Sequence, residues 1–240
     1  MIFFVLESMS NSVRRIHGVV VYICLYNSRH LCYDKKQRIL QHFGGTMRLI
    51  LASGSARRRE LMELAGYDFT VHVSDADEAS DTLDPALLVC ELALKKARAV
   101  QEEIGEPCVV VGADTVVVLD GHIIGKPKNK EDAFSILKSL SGRTNTVYTG
   151  LCVLRDADEP FVHCDTTTVT FSQLSDEEIY DYIETGEPMD KAGAYGVQGI
   201  GCVFVARVDG CYFTVIGLPM PTLYTALKQK GILPTKQRAR

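Results

Sequence analysis

Six valines between positions 109 and 118 bracket the tetrapeptide Gly112-Ala113-Asp114-Thr115. Valine is stiff about its first side-chain torsion and packs well on a pleated surface, so the run reads as a strongly apolar strand. Asp120-Gly121 just beyond it is a hairpin turn signal. The tetrapeptide interrupts the run, which places Asp114 where the strand leaves or bends, in position to meet a cleft. A carboxylate in such company is costly unless it is paired. It can bind a divalent ion through oxygen, accept a proton from an attacking water, or simply receive hydrogen bonds from a turn.

The rest of the chain alternates strand and helix signals around that run. Arg48-Leu49-Ile50-Leu51-Ala52 is a strand, Ser53-Gly54-Ser55 a turn, and 56–65 a helix with Ser55 at its N-cap and Gly66 at its stop. Helices are predicted over 85–104 and 131–140, and strands over 146–154 and 162–171. Ser175-Asp176-Glu177-Glu178 has the pattern of a capping box. Strands near 203–208 and 212–216 flank Asp209-Gly210, and a last helix starts near Pro221 and ends before Gly231. Hairpins among crossovers predict a mixed rather than a parallel sheet, flanked by helices in an α/β fold.

Bulk properties narrow the partners. A formal charge of -4 gives no electrostatic footprint for nucleic acid. Eight cysteines form no C-x-x-C pair, and several sit in apolar runs, which fits buried thiols in a reducing cytoplasm. No stretch approaches the roughly 18 apolar residues of a membrane span. Residues 1–46 differ from the remainder, with a charge of +4 against -8 for 47–240. They read either as an extension preceding the domain at 47–233 or as an upstream start, with Met47 the natural one; 234–240 is a basic tail.

Three further motifs carry chemistry. Ser53-Gly54-Ser55-Ala56-Arg57-Arg58-Arg59 brings free N–H groups, hydroxyls and guanidinium groups to one helix start, which suits phosphate or, equally, a capped helix with a solvated basic face. Three consecutive arginines point in different directions, so about two reach one ligand. Gly125-Lys126-Pro127 fixes a lysine at a loop tip, where it serves as a point-charge partner for phosphate or as an ordinary surface residue. Asp190-Lys191-Ala192-Gly193-Ala194-Tyr195-Gly196-Val197-Gln198-Gly199 allows close backbone approach and offers Lys191 and Gln198 as donors. In Ser74-Asp75-Ala76-Asp77-Glu78, Glu78, or secondarily Asp77, can join Asp114 at a cation, or the acidic loop is simply solvated. Together, anion-binding groups at 57, 58, 96, 126 and 191 with carboxylates at 78 and 114 describe a metal-assisted triphosphate site.

Taken in order, Leu51 to Arg58, Gly112 to Thr115, Gly125 to Pro127 and Asp190 to Gly199 resemble the Maf family of nucleotide pyrophosphatases. The resemblance implies a fold similar to that of inosine-triphosphate pyrophosphatases, with two lobes around a central cleft, in a cytoplasmic and often homodimeric enzyme. It implies hydrolysis between the α and β phosphates, with Asp114 as proton acceptor and a divalent metal, Mg²⁺ or Mn²⁺, held by Glu78 and Asp114. Ser53, Arg58, Lys96, Lys126 and Lys191 fall on the substrate-binding positions, with Lys95 as the neighbour of Lys96. Arg57, Thr115 and Gln198 fall on the three specificity positions of the dTTP/UTP branch. The competing readings are the 7-methyl-GTP sister branch and a nucleotide-binding regulator of cell division.

Overall fold

The computed structural model describes residues 47–156 and 158–235, and the backbone of two strands near the N-terminus. The chain divides into two compact units, Met1–Thr46 and Met47–Arg240. In the first, β1 (Ser12–Ile16) pairs antiparallel with β2 (Val19–Ile23). The question of an extension or an upstream start, and all of the basic tail 234–240 beyond residue 235, lie outside the described residues.

The second unit is built on a seven-stranded sheet. Its strands are β3 (Arg48–Ala52), β4 (Thr70–Val71), β5 (Cys108–Leu119), β6 (His122–Ile124), β7 (Thr144–Arg155), β8 (Phe161–Phe171) and β9 (Val205–Gly210). The order is β4-β3-β5-β7-β8-β9, with β6 paired to the far end of β5. Both neighbours of β3 run parallel to it, and the remaining pairs are antiparallel, so the sheet is mixed as predicted. The β5–β6 hairpin turns at Asp120 and Gly121, both with positive φ (51° and 78°), the backbone that a tight hairpin requires.

Helix α1 (Ala56–Leu64) follows β3, and α2 (Pro85–Ile104) crosses to β5. Asp84 caps α2 by accepting from the Leu87 N–H, and Gly105 ends it in the left-handed conformation. Helices α3 (Lys130–Leu140), α4 (Asp176–Glu184), α5 (Tyr212–Ile216) and α6 (Met220–Gln229) complete the unit. The Ser175–Glu178 capping box is formed in both directions. Among the described residues no helix is long and apolar enough to cross a membrane.

The predicted break in the valine run does not occur: β5 is one strand of 12 residues, and Asp114 lies in its middle. Val109, Val111, Ala113 and Val117 point into the larger core cluster, while Val110, Val116 and Val118 point to the α2 face. Gly112 does not end the strand; it admits the helix. A Cβ there would overlap the Ala93 carbonyl oxygen, and one on Gly150 of β7 would overlap that of Val89. Two glycines on adjacent strands thus let α2 lie directly on the sheet.

A second expectation fails near the C-terminus. Of the strands predicted over 203–208 and 212–216, only β9 forms. A 3₁₀ turn, Ile200–Phe204, precedes it, and 212–216 is the short helix α5, closed by Gly217 at φ 108°. Tyr-Phe-Thr-Val-Ile has strand propensity, but hydroxyls of the neighbouring strands hold its backbone. Thr167 Oγ1 donates to the Cys211 carbonyl and Thr149 Oγ1 to that of Thr214.

Candidate active site

Beside β3 and β5 the sheet opens into a cleft of about 550 Å³. One wall is α2 with the β3–α1 turn; the other is formed by the loops at 125–127 and 186–201. These two sides, within one compact unit, correspond to the lobes expected around a cleft. All ten predicted site residues line it: Ser53, Arg57, Arg58, Glu78, Lys96, Asp114, Thr115, Lys126, Lys191 and Gln198.

Asp114 is presented from mid-strand, opposite Gly150, so the neighbouring strand places no side chain over it. Gly112 lies two residues earlier on the same face, where α2 is closest. Lys96, one turn along α2 from Ala93, therefore reaches the carboxylate: its Nζ lies 2.6 Å from Asp114 Oδ1 and 3.3 Å from Glu78 Oε1. Lys96 and Asp114 are mostly buried, with side chains 17 % and 13 % exposed, whereas Glu78 is 62 % exposed. Lys95 turns away, donating to the Ala79 carbonyl at 2.7 Å and pairing with Glu91, so Lys96 is the lysine of the cleft. Glu91 also accepts from the hydroxyls of Ser80 and Thr82, and the Lys95 ammonium first, with those two hydroxyls, pulls its pKa down to about 2. That clamp ties the loop carrying Glu78 to α2.

Arg58 is held on three sides. Its Nε donates to the Gly217 carbonyl at 2.7 Å, one terminal nitrogen to Ser53 Oγ at 3.0 Å and the other to Thr115 Oγ1 at 3.1 Å. Burial lowers its pKa from the ordinary value and the Asp114 carboxylate works against that shift, yet a guanidinium stays charged in a protein. Arg57 pairs across the cleft with Asp190 at 3.2 Å, while Arg59 turns outward to Glu63. Two of the three arginines thus face the cleft. Ser55 occupies the predicted N-cap of α1 but makes no capping bond with its side chain. The first-turn N–H groups of α1 therefore lack that internal acceptor, which favours an anion there.

The opposite wall is a glycine-rich loop organised by one carboxylate. Glu187 accepts from the Ile200 N–H at 2.8 Å, the Gly201 N–H at 3.2 Å and the Tyr182 hydroxyl at 2.9 Å. Burial pushes the Glu187 carboxyl up, but those donors and Lys191 outweigh it and hold its pKa below the ordinary range. A side chain at Gly199 would overlap the Glu187 carboxylate, and one at Gly193 would press on Val117, so these glycines are required by packing. Lys191 Nζ donates to the Glu187 carbonyl at 2.6 Å and to Asp190 at 2.7 Å. Gly193 N–H donates to the Gly125 carbonyl at 3.0 Å, joining the two loops. Lys126 and Gln198 are exposed at the mouth.

Sequence reasoning missed Glu187, Tyr182 and the part played by Asp190. The available signal was an acid at the entrance of a glycine-rich segment, where unpaired N–H groups need an acceptor. Among the described residues no group of three or more His, Cys, Asp or Glu side chains gathers to hold a metal. Glu78 and Asp114 nonetheless converge on one cation, the Lys96 ammonium.

A mixed α/β domain whose cleft sets five cationic side chains among three carboxylates, Glu78, Asp114 and Asp190, has the build of a protein that handles a polyanion. The family of Maf-like proteins matches residues 48–230, and the chain belongs to that family. The expected fold class holds with it. The chain is 48 % identical over 189 residues to the dTTP/UTP pyrophosphatase of Clostridium perfringens (strain 13 / Type A), covering 78 % of this chain and 98 % of that protein. It is 44 % identical over 185 residues to the dTTP/UTP pyrophosphatase of Thermoanaerobacter sp. (strain X514), covering 77 % and 97 %. Among solved structures, a nucleoside-triphosphatase / dITP/XTP pyrophosphatase from Mycobacterium abscessus ATCC 19977 / DSM 44196 overlaps 77 % of this chain and 95 % of that one, at 13 % identity and a TM-score of 0.38.

Proposed function

We propose that this protein hydrolyses dTTP and UTP to the monophosphate and pyrophosphate. The observation that carries the proposal is the gathering of Arg57, Arg58, Lys96, Lys126 and Lys191 with Glu78 and Asp114 on one cleft. Thr115 and Gln198 complete the set on the same lining. Relatives bearing the name dTTP/UTP pyrophosphatase support the choice of substrate.

In the proposed reaction a water attacks the α-phosphorus, the bond from that phosphorus to the bridging oxygen breaks, and pyrophosphate leaves. Asp114 takes the proton of the water. Before it can do so its present partner must let go, and an incoming phosphate offers the Lys96 ammonium a competing anion. Arg58, Lys126 and Lys191 stabilise charge on the transferring and leaving oxygens, the contribution that dominates phosphoryl chemistry. Ser53, already bonded to Arg58, fixes that guanidinium against the uncapped start of α1. Arg57, Thr115 and Gln198 select the base.

Two carboxylates within reach of one cation suit a hard divalent ion, which commonly takes one or two protein carboxylates and completes its shell with phosphate and water. Glu78 and Asp114 are the residues that would hold Mg²⁺ or Mn²⁺, which would neutralise phosphate charge there. The test is pyrophosphate release from dTTP, UTP, CTP, GTP, 7-methyl-GTP and ITP with either metal. Preference for dTTP and UTP is expected; preference for 7-methyl-GTP, or nucleotide binding without product, contradicts the proposal.

A further inference from the structure

A hydroxyl carries one proton, so a chain of hydroxyls that ends on a carbonyl has a fixed direction. Such a chain runs beneath the cleft. Thr149, on β7 and fully buried, has its Oγ1 2.8 Å from the carbonyl oxygen of Thr214 on α5. A carbonyl only accepts, so the Thr149 proton is committed to it. The same Oγ1 lies 3.0 Å from Thr115 Oγ1. With its own proton already used, Thr149 accepts in that contact and Thr115 donates. Arg58 donates to Thr115 Oγ1 as well, at 3.1 Å. The Thr115 hydroxyl is left with its proton turned inward, one lone pair bonded to Arg58, and one lone pair uncommitted, on a residue that lines the cleft.

We propose that Thr149 is a positioning residue for base selection: by receiving the Thr115 proton it makes Thr115 a pure acceptor toward the cleft, so the site favours a base presenting a ring N–H. The inference rests on the reading of the cleft as a nucleotide site. Uracil and thymine carry a proton on ring nitrogen 3, where cytosine carries a lone pair. Cytosine therefore sets lone pair against lone pair. A site that leaves a polar group unpaired when the wrong substrate binds discriminates well. Thr149 supplies this polarity without touching the nucleotide.

The test is calorimetric binding of the non-hydrolysable α,β-imido analogues of UTP and CTP to the full chain. The unaltered protein is expected to prefer the UTP analogue by roughly tenfold or more. Thr149→Val keeps the volume but removes the acceptor, freeing the Thr115 proton to swing toward the cleft, and the preference falls roughly tenfold. Thr149→Ser restores it. A purely structural role weakens both analogues in parallel and leaves their ratio unchanged; that result, or a serine variant no better than the valine one, overturns the proposal. If the valine variant fails to fold, the unaltered protein decides with the imido triphosphate of 2-pyrimidinone riboside, whose ring nitrogen 3 is bare. Binding as weak as that of the CTP analogue supports the proton chain, and binding equal to the UTP analogue overturns it. Because binding is read without turnover, selectivity without pyrophosphate release sinks the pyrophosphatase reading alone. Release of pyrophosphate with selectivity untouched in Thr149→Val sinks the proton chain alone.

Discussion

The two walls of the cleft are held by different means. On the sheet wall, Asp114 and Thr115 sit in a strand buried on both faces, and Lys96 stands on a helix that two glycines draw onto that strand. On the loop wall, Lys191 and Gln198 ride on short 3₁₀ turns and bends, whose order depends on the Glu187 carboxylate and on exposed ion pairs. The contrast assigns them different work. In the proposed reaction Asp114, which takes the proton, stands on the part that cannot shift without disturbing the core, whereas Lys191 and Gln198 meet phosphate and base from the part that can.

The largest expected effect breaks the sheet wall at its centre. Asp114→Asn preserves shape and should lower turnover by roughly two to four orders of magnitude with the fold retained. Near-normal activity refutes the role given to Asp114. Next comes the contact beneath it. Gly112→Ala drives a methyl into the Ala93 carbonyl and should destabilise the fold by about 2 kcal/mol in denaturant titration while displacing Lys96. Gly125→Ala, with open space around its Cβ and no positive φ, is the matched control on the loop wall and should leave stability unchanged.

The loop wall should respond to pH. Since the folded state holds Glu187 below its ordinary value of 4.5, its contribution is complete above that pH and is lost as pH falls below it. Protection of the Ile200 and Gly201 amides, measured relative to their intrinsic exchange rates, should fall in that acid window; Glu187→Gln should lower it at neutral pH and flatten the dependence. The smallest effect is expected from Asp190→Asn. Its carboxylate is 68 % exposed, and ion pairs of that kind contribute at most about 1 kcal/mol. A few-fold change in KM for UTP with kcat unchanged is the expected result, and a large fall in kcat would move Asp190 into the catalytic group.

Much of this was legible in the sequence, and the reasons for the failures are physical. Periodicity and caps located α2 and the long strands β7 and β8, because hydrophobic pattern and terminal signals agree there. The four motifs hold eight of the ten cleft residues, and Glu78 and Lys96 join them from the acidic run before α2 and from α2 itself. Gly112 was misread because a glycine that admits a helix and one that ends a strand look alike until the partner is known. The segment 212–216 was misread because its β-branched and aromatic residues favour a strand, while side-chain donors from β7 and β8 stabilise a single helical turn. Glu187 and Thr149 stayed hidden because their roles lie in long-range hydrogen bonds, over which composition and spacing carry no information.

The central claim is that water is delivered to the α-phosphorus of a pyrimidine triphosphate in this cleft. Hydrolysis of UTP in ¹⁸O-labelled water with Mn²⁺, followed by mass spectrometry of both products, tests it most directly. The account predicts label in the monophosphate and unlabelled pyrophosphate; label in pyrophosphate, or release of UDP and orthophosphate, would contradict it.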